Sequence, residues 1–209
     1  MGYLYLQPLT PEQVPASVEL DRRCLGGMWN AEGYLREIES PNGLLLALTA
    51  DGDRPTVPTV LPNSLLGLGC LWMVLDEAHI TVLVVDTPYR GQGLGQTLLW
   101  ALLIQARQRK MARATLEVRA SNQRAIALYH HYGFQEAGRR KAYYKNPVED
   151  ACILWRKGLQ FHEFGEDLTT WQNSACDRRQ HWGWELVDHL PGCSTGKGCS
   201  MGDREITQP

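Results

Sequence analysis

The 209-residue chain lacks an excess of charge of one sign and a long apolar run. A formal net charge of -2 provides no global positive field, which argues against nucleic acid or an anionic membrane as a direct partner. No uninterrupted apolar run approaches the ~20 residues that cross a bilayer, and the first residues do not resemble a secretory signal. We therefore expect a soluble, cytoplasmic protein.

Closely paired cysteines are absent as well, because none of the six cysteines belongs to a Cys-x-x-Cys pair. His181, His189, Cys193 and Cys199 lie near one another in sequence. Their arrangement, Cys-x5-Cys with histidines upstream, matches no standard zinc pattern. We expect reduced thiols and no metal site.

Apolar periodicity predicts alternating strands and helices through the middle of the chain. Helices are predicted to begin near Thr10, Asn30, Gly93 and Asn122, where a capping residue or a glycine turn precedes an amphipathic pattern. Strands are predicted over residues 3–8, 44–49, 65–75, 78–85, 115–118, 134–137 and 151–156. This order predicts an α/β or α+β fold with a mixed central sheet flanked by helices.

The predicted domain covers residues 1–159. Residues 51–63 contain one glycine and three prolines and are predicted to form a long hairpin loop. After Leu159 the periodicity fades, and residues 160–209 are rich in glycine, polar residues and tryptophan. We expect this segment to be a C-terminal appendage that is poorly ordered, at least in part.

An apolar strand ending at Val85 leads into Arg90-Gly91-Gln92-Gly93-Leu94-Gly95 and then into a helix. The backbone N–H groups of such a turn and of the first helical residues converge where the helix dipole favours an anion. Glycine lets a diphosphate approach the main chain closely. We therefore predict a phosphate-binding turn, to which Arg90 would add a positive charge.

Two other interpretations of this turn stay open. A dinucleotide fingerprint requires Gly-x-Gly-x-x-Gly, and Gln96 stands where the third glycine belongs, although Glu117 follows at about the spacing of a ribose-binding acid. The glycines could instead serve only a tight strand-to-helix connection. A Walker loop is excluded, because residues 192–198 have one spacer too few and end in glycine.

The Arg-Gly-x-Gly-x-Gly pattern resembles the coenzyme A diphosphate loop of the GNAT superfamily. The resemblance continues through residues 116–129 and Gly133-Phe134, which are similar to the bacterial ribosomal-protein-alanine N-acetyltransferases. Its specific part covers about residues 75–157. The loop at 51–63 looks longer than is usual in that family, and the segment after Leu159 has no recognised counterpart.

This resemblance implies a GNAT fold with acetyl-coenzyme A (acetyl-CoA) as the co-substrate. The residues that it assigns to the coenzyme belong to the strand end, the turn and the start of a later helix: Leu83, Val84, Val85, Arg90, Gly91, Gln92, Gly93, Leu94, Gly95, Gln96 and Asn122. Asn122 is also a plain N-cap for the helix that it begins.

Glu117 and Tyr129 are the candidate acid–base residues, because acetyl transfer to an amine needs a proton acceptor for the amine and a proton donor for the departing thiolate. Glu117 faces away from Leu116 and Val118 on its strand, and the resemblance assigns it as the base. Its structural alternative is a surface pair with Arg119. The resemblance assigns Tyr129 as the acid; its structural alternative is a core tyrosine with a satisfied hydroxyl.

On the acceptor side, the resemblance points to Trp29, Tyr143 and Tyr144 as substrate-binding residues, with the two tyrosines in a loop between the last strands. Packing alone would also explain the tyrosine pair. The implied reaction is direct transfer to the α-amine of a protein, first of all the N-terminal alanine of a small-subunit ribosomal protein. Lysine side chains, small-molecule amines and a non-catalytic acyl-CoA-binding module remain alternatives.

Overall fold

The computed structural model describes residues 2–51 and 64–190. Within these residues the chain forms eight strands and five α-helices: β1 (Gly2–Pro8), α1 (Val14–Cys24), α2 (Ala31–Glu39), β2 (Gly43–Asp51), β3 (Ser64–Val74), β4 (Glu77–Val85), α3 (Leu94–Gln108), β5 (Arg113–Arg119), α4 (Gln123–His131), β6 (Gln135–Lys145), β7 (Val148–Lys157), α5 (His162–His181) and β8 (Trp184–Asp188). The predicted hairpin loop falls on residues 52–63 beyond the end of β2, outside the described residues.

The strands form one mixed sheet in the order β6-β7-β5-β4-β3-β2-β1-β8, which confirms the predicted fold class. Neighbouring strands are antiparallel except for β4 with β5 and β1 with β8. The parallel pair β4–β5 is short, running from Glu77 opposite Arg113 to Ile80 opposite Leu116. Beyond Ile80 and Leu116 the two strands separate, and each continues along its other neighbour.

The sheet buries an apolar cluster on each face. One cluster packs under α3, α4 and α5, and the other lies under α1 and α2. The predicted helix starts are confirmed by their hydrogen bonds. Thr10 N donates to Gln13 Oε1 (3.0 Å) just before α1, and Asn30 Oδ1 accepts from Gly33 N (2.9 Å) at the start of α2. These local contacts fix where the helices begin, and burial of their apolar faces supplies the main stabilisation.

The end of the sheet differs from the sequence expectation. Strand β6 is much longer than predicted and reaches Lys145, so Tyr143 and Tyr144 lie within a strand rather than in a loop. The β6–β7 hairpin contains two register irregularities, between Glu136 and Gly138 and between Arg140 and Tyr144. These irregularities interrupt the two-residue period in the sequence, which is why the strand was predicted to end early.

Residues 160–190 of the predicted appendage form helix α5 and strand β8, which the sequence analysis did not predict. Helix α5 packs along α3, where Trp100 Nε1 donates to Leu168 O (3.1 Å), and against the end of α4, where the Trp171 ring stacks on Tyr132 with ring centroids 4.6 Å apart. Strand β8 pairs with β1, so it belongs to the same sheet. The remaining residues of the predicted appendage, 191–209, lie outside the described residues.

The signal for α5 is present in the sequence but is masked by polar neighbours. Its buried residues recur at helical spacing: Phe164, Leu168, Trp171, Ala175 and Arg179. Spacings of three and four residues are typical of one helix face, yet an arginine and an alanine make this stripe weakly hydrophobic. No helix in residues 2–51 and 64–190 combines the length and apolarity of a membrane-spanning segment.

We expect removal of the Trp184 side chain to destabilise the whole domain. Trp184 is 1% exposed, whereas Trp182, two residues away, is 41% exposed. Trp184→Ala should lower the free energy of unfolding by about 3–5 kcal/mol, since it leaves a large cavity. Trp182→Ala should change it by about 0.5 kcal/mol or less. Urea unfolding checks both, and equal effects would contradict the packing of β8 into the core.

Candidate active site

The glycine turn links β4 to α3 and has the backbone geometry that an anion site needs. Gly91 and Gly93 both have φ of +87°, a conformation that other residues adopt only with strain. Gly93 directly precedes Leu94, the first residue of α3. The unpaired N–H groups of the first helical turn therefore lie next to the turn, at the positive end of the helix dipole.

A cavity of about 480 Å³ opens beside this turn, in the space where β4 and β5 have separated. Nine predicted coenzyme-binding residues line it: Leu83, Val84, Val85, Arg90, Gly91, Gly93, Gly95, Gln96 and Asn122. Asn122 also caps α4, because its Oδ1 accepts from Ala125 N at 3.1 Å. The structure thus brings the strand end, the turn and the start of α4 to one cavity.

Two predicted coenzyme-binding residues have side chains that serve the core instead of lining the cavity. Gln92 is 3% exposed; its Nε2 donates to Pro88 O (3.2 Å) and its Oε1 accepts from Trp184 Nε1 (2.8 Å). Leu94 is 1% exposed and belongs to the core under α3. The sequence pattern could not separate these roles, because alternate positions of the turn face opposite directions.

Three arginines give the cavity its charge, and sequence reasoning named only one of them. Arg90 Nε donates to Val85 O (2.9 Å), which braces the turn against the strand end. Arg124, from α4, has its Nη2 only 3.0 Å from the position that a Cβ on Gly91 would occupy. Arg178, from α5, is the third arginine that lines the cavity. Arg124 lay inside the family-like segment, whereas Arg178 lay in the segment expected to be poorly ordered.

Glu117 lies on β5, one residue past the last pair with β4. Its Oε2 is 2.7 Å from His79 Nε2, and its Oε1 is 3.2 Å from Arg140 Nη2. The hydrogen bond from His79 lowers the pKa of Glu117; partial burial opposes this, and the Arg140 charge adds to it. The alternative pairing with Arg119 is wrong, since Arg119 binds Glu149 (3.2 Å) instead.

Tyr129 lines the same cavity from α4 and is only 6% exposed. Burial raises its pKa well above that of an ordinary tyrosine, so the phenol keeps its proton at physiological pH. Among the described residues, its hydroxyl has no hydrogen-bond partner. Tyr129 thus borders the cavity while belonging to the core cluster, a position that both the acid role and the core alternative allow.

Tyr144 interacts with both Glu117 and Tyr129. Its hydroxyl donates to the main-chain carbonyl of Glu117 (3.4 Å), and burial raises its pKa to about 12. The Arg119 guanidinium lies 4.1 Å from the centroid of its ring. Tyr143 packs edge-on against Tyr144 and is 43% exposed. The tyrosine pair therefore combines one half-buried ring, held by these contacts, with one that faces solvent.

An aromatic chain runs from Trp29 to the glutamate. Trp29 stacks on Trp72 with centroids 6.3 Å apart, and Trp72 meets His79 edge-on at 6.3 Å. The sequence analysis did not identify Trp72 or His79, because they are aligned only through the β3–β4 pairing. Trp72 is 37% exposed, so this side of Glu117 presents an apolar surface to solvent.

Asp21 holds the segment that carries Trp29. This carboxylate is fully buried and accepts hydrogen bonds from Met28 N (2.8 Å), Trp29 N (2.9 Å) and the Tyr34 hydroxyl (3.2 Å). A buried carboxylate needs such donors, and here they fix a loop that has no regular secondary structure.

The described residues contain no cluster of three or more histidine, cysteine, aspartate or glutamate side chains that would hold a metal ion. His181 and His189 fall within the described residues. Cys193 and Cys199, which complete the pattern considered in the sequence, lie outside them.

The sequence profile of the Acetyltransferase (GNAT) family matches residues 15–134. The chain belongs to the GNAT family. It is 32% identical over 151 residues to the ribosomal protein bS18-alanine N-acetyltransferase of Escherichia coli K12, covering 71% of this chain and 94% of that protein. It is 34% identical over 148 residues to the enzyme of the same name from Salmonella typhimurium, covering 70% and 92%.

A solved structure agrees with this GNAT assignment. The crystal structure of the Escherichia coli ribosomal-protein-S18-alanine N-acetyltransferase superposes with a TM-score of 0.61 and 30% identity, covering 74% of this chain and 93% of that chain. The predicted enzyme class is thus confirmed as an acetyl-CoA-dependent N-acetyltransferase. The dinucleotide interpretation of the glycine turn is excluded by the same family membership.

The cavity of this GNAT enzyme suits acetyl-CoA chemically. The coenzyme has a phosphorylated nucleotide end and an uncharged pantetheine arm. The glycine turn and the arginines suit the phosphorylated nucleotide end, because they supply N–H groups and positive charge. The mainly apolar end of β4, together with Leu128, suits the uncharged pantetheine arm. Leu83, Val84 and Val85 line the cavity where β4 has left β5. Their main-chain groups on that edge are the ones that would hold the pantetheine amides.

An added methyl group should destabilise the protein at Gly93, where backbone strain and crowding combine, but not at Gly95 in the first turn of α3. At Gly93 a Cβ would meet Ala175 O at 3.2 Å with φ at +87°, whereas at Gly95 the nearest atoms are 3.8 Å away. Gly93→Ala should therefore cost about 2 kcal/mol or more of unfolding free energy. Gly95→Ala should stay within about 1 kcal/mol of wild type. Urea unfolding measures both, and equal stabilities would contradict the described turn.

Proposed function

We propose that this enzyme acetylates the N-terminal α-amine of a polypeptide, and that the N-terminal alanine of a small-subunit ribosomal protein is its acceptor. The observation that carries the proposal is Glu117 at the separation of β4 and β5, where His79 joins it to the aromatic chain that runs from Trp29 through Trp72. The bS18-specific names of the relatives support the choice of acceptor. The proposed ribosomal substrate implies a cytoplasmic location for the enzyme.

In this proposal Glu117 accepts the proton that the amine nitrogen releases once the neutral amine has attacked the thioester, directly or through one water. Its carboxylate is ionised at neutral pH, and His79 and Arg140 hold its pKa below the ordinary value. His79 positions the carboxylate through the 2.7 Å contact between Nε2 and Oε2. A carboxylate fixed in this way is a weak base but a well-oriented one, and orientation is a large part of general-base catalysis.

Tyr129 donates the proton that the sulfur takes up as it departs. Acetyl-CoA supplies the acetyl group as a thioester. Burial raises the pKa of the phenol and so makes it a weaker acid than a tyrosine in water. A thiolate that leaves into the same apolar surroundings is, for the same reason, a stronger proton acceptor. With Glu117 to accept one proton and Tyr129 to donate another, no covalent enzyme intermediate is required.

Trp29, Tyr143 and Tyr144 are proposed to contact the acceptor, with Trp72 as an addition from the structure. The exposed aromatic surface suits a short apolar N-terminal residue and the first peptide groups behind it. A lysine side chain is the second candidate acceptor and a small-molecule amine the third. A non-catalytic acyl-CoA-binding module has no use for the fixed carboxylate and the phenol that borders the cavity.

Product mapping should separate these acceptors. We expect acetylation of a lysine-free peptide with N-terminal alanine, and none of a peptide with a blocked N-terminus and an internal lysine. Glu117→Gln should lower kcat/KM about 10²- to 10⁴-fold, the usual share of a general base. Glu136→Gln, an exposed glutamate of β6 paired with Arg139, is the matched control and should keep full activity. Tandem mass spectrometry identifies the site.

Acetylation of the lysine peptide alone would overturn the acceptor assignment and leave the enzyme class intact. Modification of neither peptide, with acetyl-CoA still bound, would instead favour a small-molecule amine or the non-catalytic module.

The pH profile should follow the acceptor's amine. Glu117 has a lowered pKa, so it stays ionised across the range in which an α-amine loses its proton, near pH ~8. We therefore expect kcat/KM to rise up to about pH 8 and then to level off, with no fall by about pH 9.5, because Tyr129 has a raised pKa. With an acceptor of lower amine pKa, the rising part of the profile should shift to lower pH. A rise that stays at the same pH would contradict this prediction.

A further inference from the structure

Helix α5 lies against the glycine turn, which makes it a wall of the coenzyme site. We propose that Arg178 of α5 binds a phosphate group at the nucleotide end of acetyl-CoA. This inference rests on the enzyme's use of acetyl-CoA and adds a coenzyme contact from outside the residues 15–134 that match the family.

The contact between α5 and the turn is close and involves the main chain. A Cβ on Gly93 would lie 3.2 Å from Ala175 O and 3.3 Å from Arg178 Cβ. Arg178 lines the coenzyme cavity together with Gly91 and Arg124. The helix backbone is thus within van der Waals reach of the phosphate-binding turn, and the Arg178 side chain starts at its edge.

The position of α5 is fixed by its other face, so Arg178 is presented from a rigid element. Arg179, the next residue, is 5% exposed and its Nη1 donates to Thr97 Oγ1 in the first turns of α3. Trp171 stacks on Tyr132, whose hydroxyl donates to Gln96 O (3.1 Å). A side chain carried on a rigid helix loses less conformational freedom when it binds than one carried on a loop.

The charge around the turn has no internal compensation. Within the described ranges, no carboxylate lies within ion-pair distance of Arg90, Arg124 or Arg178. Three guanidinium groups beside the positive end of α3 would repel one another unless an anion occupied the space between them. Arginine is also the side chain whose geometry best matches phosphate oxygens.

The outer surface of α5 limits where a phosphate can sit. A groove leads from Gly91 along the helix past Ser174, Asp177 and Trp182. Asp177 places a negative charge in this groove, which is unfavourable for phosphate. The coenzyme cavity, which Arg178 also lines, has no carboxylate among its lining residues.

The test is a comparison of three acetyl donors with the full-length protein and Arg178→Ala. Acetyl-CoA carries the 3′-phosphate and the diphosphate, acetyl-3′-dephospho-CoA carries only the diphosphate, and S-acetylpantetheine carries neither. For Arg178→Ala we expect the Kd and KM of acetyl-CoA to rise about tenfold with kcat unchanged, as for loss of one charge-assisted contact. The KM of S-acetylpantetheine should not change.

Arg178→Lys should recover part of the loss, because it keeps the charge without the fork of donors. The control for charge is Arg139→Ala on β6, which is paired with Glu136 and lines no part of the cavity; it should leave all three donors unaffected.

The donors also identify the phosphate. An effect that disappears with acetyl-3′-dephospho-CoA assigns Arg178 to the 3′-phosphate, and one that persists assigns it to the diphosphate. Unchanged affinity of Arg178→Ala for acetyl-CoA would overturn the inference, as would an equal loss with S-acetylpantetheine, which would indicate a structural effect. Failure of the wild-type protein to bind acetyl-CoA would refute the enzyme assignment itself.

Discussion

Strands β4 and β5 share hydrogen bonds only from Glu77–Ile80 to Arg113–Leu116, and the whole active site depends on their separation after that point. Each strand is kept from rejoining the other because its far edge stays paired, β4 with β3 and β5 with β7. The separation therefore costs few hydrogen bonds inside the sheet while opening two main-chain edges toward one space. The glycine turn closes one side of that space and α4 closes the other.

The same separation places groups of different chemistry in different parts of the site. Helix α3 begins after the glycine turn that follows β4, so its dipole and the arginines lie at one end of the cavity, where the phosphorylated part of the coenzyme is proposed to bind. Glu117 follows the last paired residue of β5, and His79 reaches it from the paired part of β4 at 2.7 Å. Because this contact joins the two strands at the point where they part, it fixes the carboxylate relative to both walls.

Sequence reasoning succeeded where local rules decide the outcome. The capping residues, the strand period around Glu117 and the glycine turn all follow from contacts between residues close in sequence. It failed where partners are far apart: His79 with Glu117, Arg178 with the turn, and β8 with β1. Helix α5 was missed for another reason, since its buried stripe includes Arg179 and Ala175, which read as polar or neutral. Burial of that arginine depends on Thr97, which no local pattern reveals.

The pairing of β8 with β1 has a consequence for the order of synthesis. Gly2 is made well before its partner Trp184, which follows 182 residues later. One edge of β1 therefore stays open throughout elongation, and non-local pairings of this kind form late. Helix α5 is also made late, so Glu117 and the glycine turn are synthesised long before the helix that packs against that turn.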